Sequence, residues 1–256
     1  MTHSCLNFLK LGTASSERQI AVRRDEGAGP GLFWLGGFKS DMKGTKAEAL
    51  SQWARENRRA CTRFDYSGHG ESAGDFLAGT IGRWLEESLA VFTAYAEGPQ
   101  VVIGSSMGGW LALLLLQALR SRVATKGSVV GLVLIAPAVD FTEVLMWQHF
   151  SAKVKREIET TGVWSRPSEY GEPYPITRAL IEEGRHHLLL GSMIETGCPV
   201  RILQGVQDPD VPWHHAVELT SRLAQDDVVL TLVKDGDHRL SRPEDLERLI
   251  KAVAEF

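Results

Sequence analysis

The run Val101-Val102-Ile103-Gly104-Ser105-Ser106-Met107-Gly108-Gly109-Trp110 constrains the fold more than any other stretch of the chain. An apolar segment ends in Gly-x-Ser-x-Gly, and an apolar pattern of helical period begins at once. A strand-to-helix turn of this kind is so tight that the residues two before and two after the serine must lack side chains. Gly104 and Gly108 meet that demand. The turn lifts the Ser106 hydroxyl above the sheet edge, and the helix N-terminus behind it favours developing negative charge.

A second pentad, Gly70-Glu71-Ser72-Ala73-Gly74, has no such setting. It follows the polar, Gly-rich stretch Asp65-Tyr66-Ser67-Gly68-His69, with no strand entering and no helix leaving directly. Ser72 therefore reads as a loop serine and Ser106 as the nucleophile.

The alternation around the elbow predicts an α/β fold, a mainly parallel sheet with helices on both faces. Residues 6–11 and 19–23 read as two opening strands joined by a Ser/Glu-rich turn, and 31–35 as a short buried strand. Asp41 is expected to cap a helix bearing Ala47, Leu50 and Trp53 on one face. Strands follow at 60–64, 100–104 and 129–135, with a helix carrying Ile81, Trp84, Leu85, Leu89 and Phe92 after the first of them. The rhythm breaks over 139–190, where no strand is legible and a loop carries Pro167, Gly171, Pro173 and Pro175. A stretch of this size between sheet strands predicts a helical cap insertion, with 1–138 and 191–256 forming the core. Strand 200–203, helix 211–223, strand 228–233 and a last helix opened by a Ser241-x-x-Glu244 capping box complete the pattern.

A hydroxyl becomes a useful nucleophile when an imidazole takes its proton and a carboxylate orients that imidazole. On such a sheet the order is serine, acid, histidine, each just beyond a strand end. Asp208 follows strand 200–203 and is preferred as the acid over Asp210, which sits where a helix cap would. His238, the last histidine, follows strand 228–233 and is the base. His69 either lines the site or shapes its own turn, and His214 and His215 read as surface residues early in a helix. The oxyanion donors are the Met107 amide and, after Gly36-Gly37, the Phe38 amide, with Gly37 as the fallback. Within the insertion, Leu145, Met146, Trp147 and Phe150 are candidate acyl contacts. Arg166, Arg178 and Arg185 could meet an acidic substrate group, although nearby carboxylates make a solvated face the default.

With these pieces in place the chain resembles the α/β-hydrolase-fold serine hydrolases. More narrowly, Leu35-Gly36-Gly37-Phe38-Lys39-Ser40-Asp41-Met42-Lys43-Gly44-Thr45-Lys46-Ala47, Arg63-Phe64-Asp65-Tyr66-Ser67-Gly68-His69-Gly70 and the elbow together resemble one branch. It is the branch of the mitochondrial acyl-glucuronide esterase and palmitoyl-protein thioesterase known as abhydrolase domain-containing protein ten, with its bacterial homologues. The resemblance implies cleavage of carboxylic esters or thioesters by Ser106, Asp208 and His238. Rival readings are a peptidase, lactonase or carbon–carbon bond hydrolase on the same fold, or a ligand-binding receptor with little turnover.

A formal net charge of −4 argues against a nucleic-acid partner. No apolar run reaches the length of a membrane span. Cys5, Cys61 and Cys198 are scattered and odd in number, as expected for reduced thiols. His186-His187 and His214-His215 are adjacent pairs and make poor chelates, so no metal or other cofactor is expected. Residues 1–10 lack a targeting pattern, which leads to the expectation of a cytoplasmic protein.

Overall fold

The computed structural model describes residues 5–13, 17–121, 125–167, 173–224 and 227–256. The Ser15-Ser16 part of the expected opening turn and the expected loop residue Gly171 lie outside them. In chain order the elements are β1 (Cys5–Leu11), β2 (Arg18–Asp25), β3 (Ala28–Leu35), α1 (Thr45–Glu56) and β4 (Arg59–Phe64). There follow α2 (Ile81–Tyr95), β5 (Gly98–Ser105), α3 (Met107–Arg120), β6 (Gly127–Ile135) and α4 (Ala152–Thr161). Then come β7 (Val163–Arg166), β8 (Tyr174–Thr177), α5 (Arg178–Gly184), β9 (Val200–Gly205), α6 (Trp213–Arg222), β10 (Val228–Val233) and α7 (Pro243–Ala254).

Eight strands form one sheet in the order β1-β2-β4-β3-β5-β6-β9-β10. β2 runs antiparallel to both neighbours, and every pair from β4 to β10 is parallel. The central strands are apolar because both sheet faces are covered. Alternate residues go to opposite layers. Phe33, Val102, Leu132 and Leu134 join Trp84 of α2, Trp110 of α3 and Leu219 of α6 on one side. Leu32, Val101, Ile103 and Val133 join Leu50 of α1 and Leu249 and Val253 of α7 on the other. β4 and β5 depart to opposite sides of β3, so the chain order reverses beside the elbow. Ligands of open α/β sheets bind at such a reversal, beyond the strands' C-terminal ends.

Several local expectations need correction. The stretch 139–190 does contain strands: β7 and β8 pair antiparallel, with Trp164 opposite Ile176. Four residues each are too few to show a period, and Pro175 disguises the second. Asp41 does not cap α1. Its Oδ1 accepts the Lys43 N–H at 2.8 Å in a turn, and the helix begins at Thr45 behind Gly44. The last helix is capped one residue later than expected. Arg242 is the N-cap, Pro243 occupies the first turn and Asp245 Oδ2 accepts the Arg242 N–H at 3.3 Å.

Candidate active site

The elbow follows from backbone geometry. Ser106 adopts φ 54°, ψ −119° between β5 and α3, a conformation that non-glycine residues rarely hold. A Cβ on Gly104 would stand 2.2 Å from the Gly108 carbonyl oxygen, and one on Gly108 would stand 2.1 Å from the Leu35 carbonyl oxygen. Both glycines are therefore required by close approach. Ser106 N–H donates to Ile135 O at 2.8 Å, and Ser106 O accepts from Gly109 and Ala138 N–H groups. The hydroxyl is thus carried on a turn tied to β6. Ser72 is placed differently: its Oγ donates to Asp65 O at 2.6 Å and accepts the Ala21 N–H at 2.8 Å.

Two loops bring an acid and an imidazole to Ser106. A Cβ on Gly205, the last residue of β9, would meet the Gly236 carbonyl oxygen at 2.4 Å, so the loops after β9 and β10 touch only because that side chain is missing. Asp208 is fully buried by its side chain. Its Oδ1 accepts the N–H groups of Asp210 and Val211 at 2.9 and 2.8 Å, and its Oδ2 accepts from Gln204 Nε2 at 3.2 Å. The same Oδ2 lies 2.7 Å from His238 Nδ1, and His238 Nε2 lies 3.1 Å from Ser106 Oγ. Asp210 instead faces Arg166, 3.5 Å away. Asp208, Asp210 and His238 are also the one group of three or more, among the described residues, whose acidic and imidazole atoms gather within 4.8 Å. The short Nδ1 contact commits one of those carboxylates to the imidazole, and its remaining nitrogen to Ser106.

The loop after β3 covers the other side. A Cβ on Gly37 would lie 3.4 Å from Ser106 Cβ, and Phe38 follows at once. Gly37, Phe38, Ser106, Met107 and His238 all line a cavity of about 620 Å³. Its apolar lining comes from residues that include Phe38, Ala138, Phe141, Leu145, Met146 and Val211. Its polar lining includes Lys46, Arg239 and Ser241. Burial pushes the Lys46 ammonium down to about 8.

Of the residues expected to contact an acyl group, Leu145 and Met146 line this cavity. Trp147 and Phe150 do not. Residues Thr142–Met146 form a π-helical turn, and the cavity lining in this stretch is Phe141, Leu145 and Met146. The Trp147 ring lies under Lys155 and Arg185, and Phe150 packs edge-on against Trp164. Phe141, Tyr174 and Val211 line the cavity without having been singled out in the sequence. Arg178 pairs with Glu182 and Arg185 with Glu143, whereas Arg166 faces the cavity. His215 is buried, contrary to the surface reading, and burial lowers its pKa. Its neighbour His214 stacks on Trp213. No helix among the described residues is long and apolar enough to cross a membrane.

Comparison with known proteins agrees with this architecture. The sequence profile described as the alpha/beta hydrolase family matches residues 29–249. Human mitochondrial palmitoyl-protein thioesterase ABHD10 is 37% identical over 236 residues, covering 91% of this chain and 75% of the relative. The Bos taurus protein of the same name is 39% identical over the same length and shares. A crystal structure from Agrobacterium vitis S4 superposes with a TM-score of 0.96 at 47% identity, over 98% of both chains. Mouse alpha/beta hydrolase domain-containing protein 10 superposes with a TM-score of 0.87 at 36% identity, again over 98% of both. The mammalian thioesterases are mitochondrial, which overturns the cytoplasmic expectation. That expectation rested on the composition of residues 1–10 and on the scattered, odd-numbered cysteines. An address is read by a receptor and leaves no mark on a folded core.

Proposed function

The chain belongs to the alpha/beta hydrolase family, and from that premise we propose that it hydrolyses carboxylic thioesters and esters through an acyl-enzyme formed on Ser106. The observation that carries the proposal is the unbroken chain from Asp208 Oδ2 through His238 to Ser106 Oγ, with links of 2.7 and 3.1 Å. ABHD10 relatives named as palmitoyl-protein thioesterases support the substrate class.

The reaction has two halves. Ser106 Oγ attacks the acyl carbonyl while His238 Nε2 takes its proton. The developing oxyanion accepts hydrogen bonds from the Phe38 and Met107 amides, neither of which donates in the loop and turn hydrogen bonds of the described residues. Collapse expels the thiolate or alkoxide, which receives the proton from His238. Water then gives its proton to the same imidazole, attacks the acyl-serine and frees the acid, restoring the serine. Buried Asp208 fixes the Nδ1–H tautomer and stabilises the transient imidazolium. The acyl chain lies on the apolar lining of Phe38, Phe141, Leu145 and Met146. The segment 139–190 acts as a cap that supplies much of that lining and shields the acyl-enzyme from bulk water.

The test is steady-state turnover of a matched series of acyl thioesters and esters by the wild-type protein and Ser106→Ala. Turnover by the wild type, falling on the order of 10⁴-fold or more with Ser106→Ala, is the expected result. Turnover within about tenfold of wild type in Ser106→Ala would sink the proposal.

A further inference from the structure

One histidine that never reaches Ser106 holds the loop that does. Lys39, directly after Phe38, has φ 58°, the left-handed region that side-chain-bearing residues avoid. Its N–H donates to His69 Nε2 at 3.1 Å. The other ring nitrogen, Nδ1, lies 3.3 Å from Ser67 O. A carbonyl only accepts, so Nδ1 carries the proton and Nε2 offers its lone pair. The ring is 4% exposed. Tyr66, Phe76 and Trp84 meet it edge-to-face, with centroids 5.5, 5.1 and 5.2 Å away. Burial pushes the imidazole down to about 4, so at neutral pH it stays an acceptor. Ser67 is anchored in turn: its N–H and Oγ donate to the buried Glu87 carboxylate at 2.9 and 2.7 Å.

The consequence for Phe38 follows from peptide planarity. In a trans peptide the Phe38 N–H points opposite to the Gly37 carbonyl. Gly37 O accepts from Ser40 N–H at 3.2 Å and from Ser40 Oγ at 2.9 Å, which fixes that plane. The next plane ends in the Lys39 N–H, and His69 fixes it. Phe38 is thus pinned on both sides, with its N–H free to point toward Ser106.

We propose that His69 is a positioning residue for acyl transfer: its Nε2 lone pair holds the Lys39 amide in a left-handed turn, and so aims the Phe38 N–H at the oxyanion. The proposal rests on the acyl-enzyme reading above. His69 itself does not touch the substrate, and it is not among the residues lining the cavity.

The test compares His69→Phe, which keeps an aromatic ring without an acceptor, with His69→Gln, whose amide oxygen can occupy the place of Nε2. Each is assayed for kcat and KM on a 4-nitrophenyl acyl ester, for inhibition by a trifluoromethyl ketone, which forms the same oxyanion, and for thermal unfolding. A displaced oxyanion donor costs roughly 10- to 100-fold in kcat. His69→Phe should show that loss, with KM nearly unchanged and inhibitor binding weakened in parallel, and His69→Gln should recover most of both. A folded His69→Phe with wild-type kcat overturns the proposal, as does an equal kcat loss in both variants or a loss confined to KM or thermal stability. If His69→Phe does not fold, His69→Asn, whose shorter side chain falls short of Lys39, replaces it against His69→Gln with the same outcomes. Ser106→Ala runs alongside. If it keeps turnover, the acyl-enzyme reading fails and this proposal with it; if it is inactive, the His69 variants decide the positioning role alone.

Discussion

Replacing Asp208 by Asn changes one atom yet should stop the enzyme. Oδ1 of Asp208 receives two backbone N–H groups, at 2.9 and 2.8 Å, and an amide NH2 cannot stand there. The Asn carbonyl oxygen must therefore keep that position. The NH2 then faces His238 Nδ1, where the carboxylate oxygen lay at 2.7 Å. Nδ1 is forced to accept, the ring proton moves to Nε2, and the imidazole can no longer take a proton from Ser106. The buried carboxylate that stabilised the imidazolium is lost in the same step. A mispositioned tautomer of this kind costs on the order of 10⁴ in kcat, about 5.4 kcal/mol of barrier. The assay is kcat on a chromogenic acyl thioester, with circular dichroism to show that the fold persists. Asp210→Asn is the control: Asp210 faces Arg166 at 3.5 Å, so turnover should stay within about threefold of wild type. The reasoning is refuted if Asp208→Asn keeps more than a tenth of wild-type activity, or if Asp210→Asn is the more damaging change.

Other outcomes follow from the same contacts. Gly108→Ala drives a methyl into the Leu35 carbonyl at 2.1 Å. It should cost roughly 3 kcal/mol or more in urea unfolding, or leave no folded protein. His69 has a folded-state pKa lowered from 6.5 to about 4, so folding favours its neutral form. Its contribution to stability is present above pH 6.5 and lost as pH falls toward 4, by roughly 3 kcal/mol across the window. Unfolding of wild type and His69→Phe compared at pH 7 and pH 4 should reveal that difference, and parallel curves would contradict it. Cys5 is exposed, whereas burial raises Cys61 to about 12 and Cys198 to about 11. A disulfide reagent at pH 8 should therefore titrate one thiol in the native protein and two more only on unfolding.

The sheet and the elbow are legible in the sequence because their constraints are local. A glycine two residues either side of Ser106 is a steric requirement of one turn, and continuous apolar runs report strands covered on both faces. Chain order and strand-end position also led to Asp208 and His238; in the fold Asp208 lies 2.7 Å from His238, and His238 lies 3.1 Å from Ser106. The preference for Asp208 over Asp210 came from local position, whereas the partner of Asp210, Arg166 of β7, is distant in the chain and left no sign in the sequence. The lining of the cavity was less accessible. Trp147 and Phe150 share one apolar stretch with Leu145 and Met146, but that stretch has no period to show which of its residues turn to the cavity, and a π-helical turn occupies Thr142–Met146. Tyr174 reaches the cavity on a four-residue strand containing Pro175, which carries no visible pattern. His69 sat among glycines with no hint of its partner, because the Lys39 amide lies 30 residues away in sequence. Its meaning comes from tertiary contact alone.

The most direct test of the account is to quench the enzyme in acid during turnover of an acyl thioester, then digest it and locate the acyl group by mass spectrometry. The mechanism predicts one acyl mass on the peptide containing Ser106, absent in Ser106→Ala and strongly reduced in His238→Ala. Steady turnover without an adduct on Ser106, or an adduct on Ser72 instead, would contradict it.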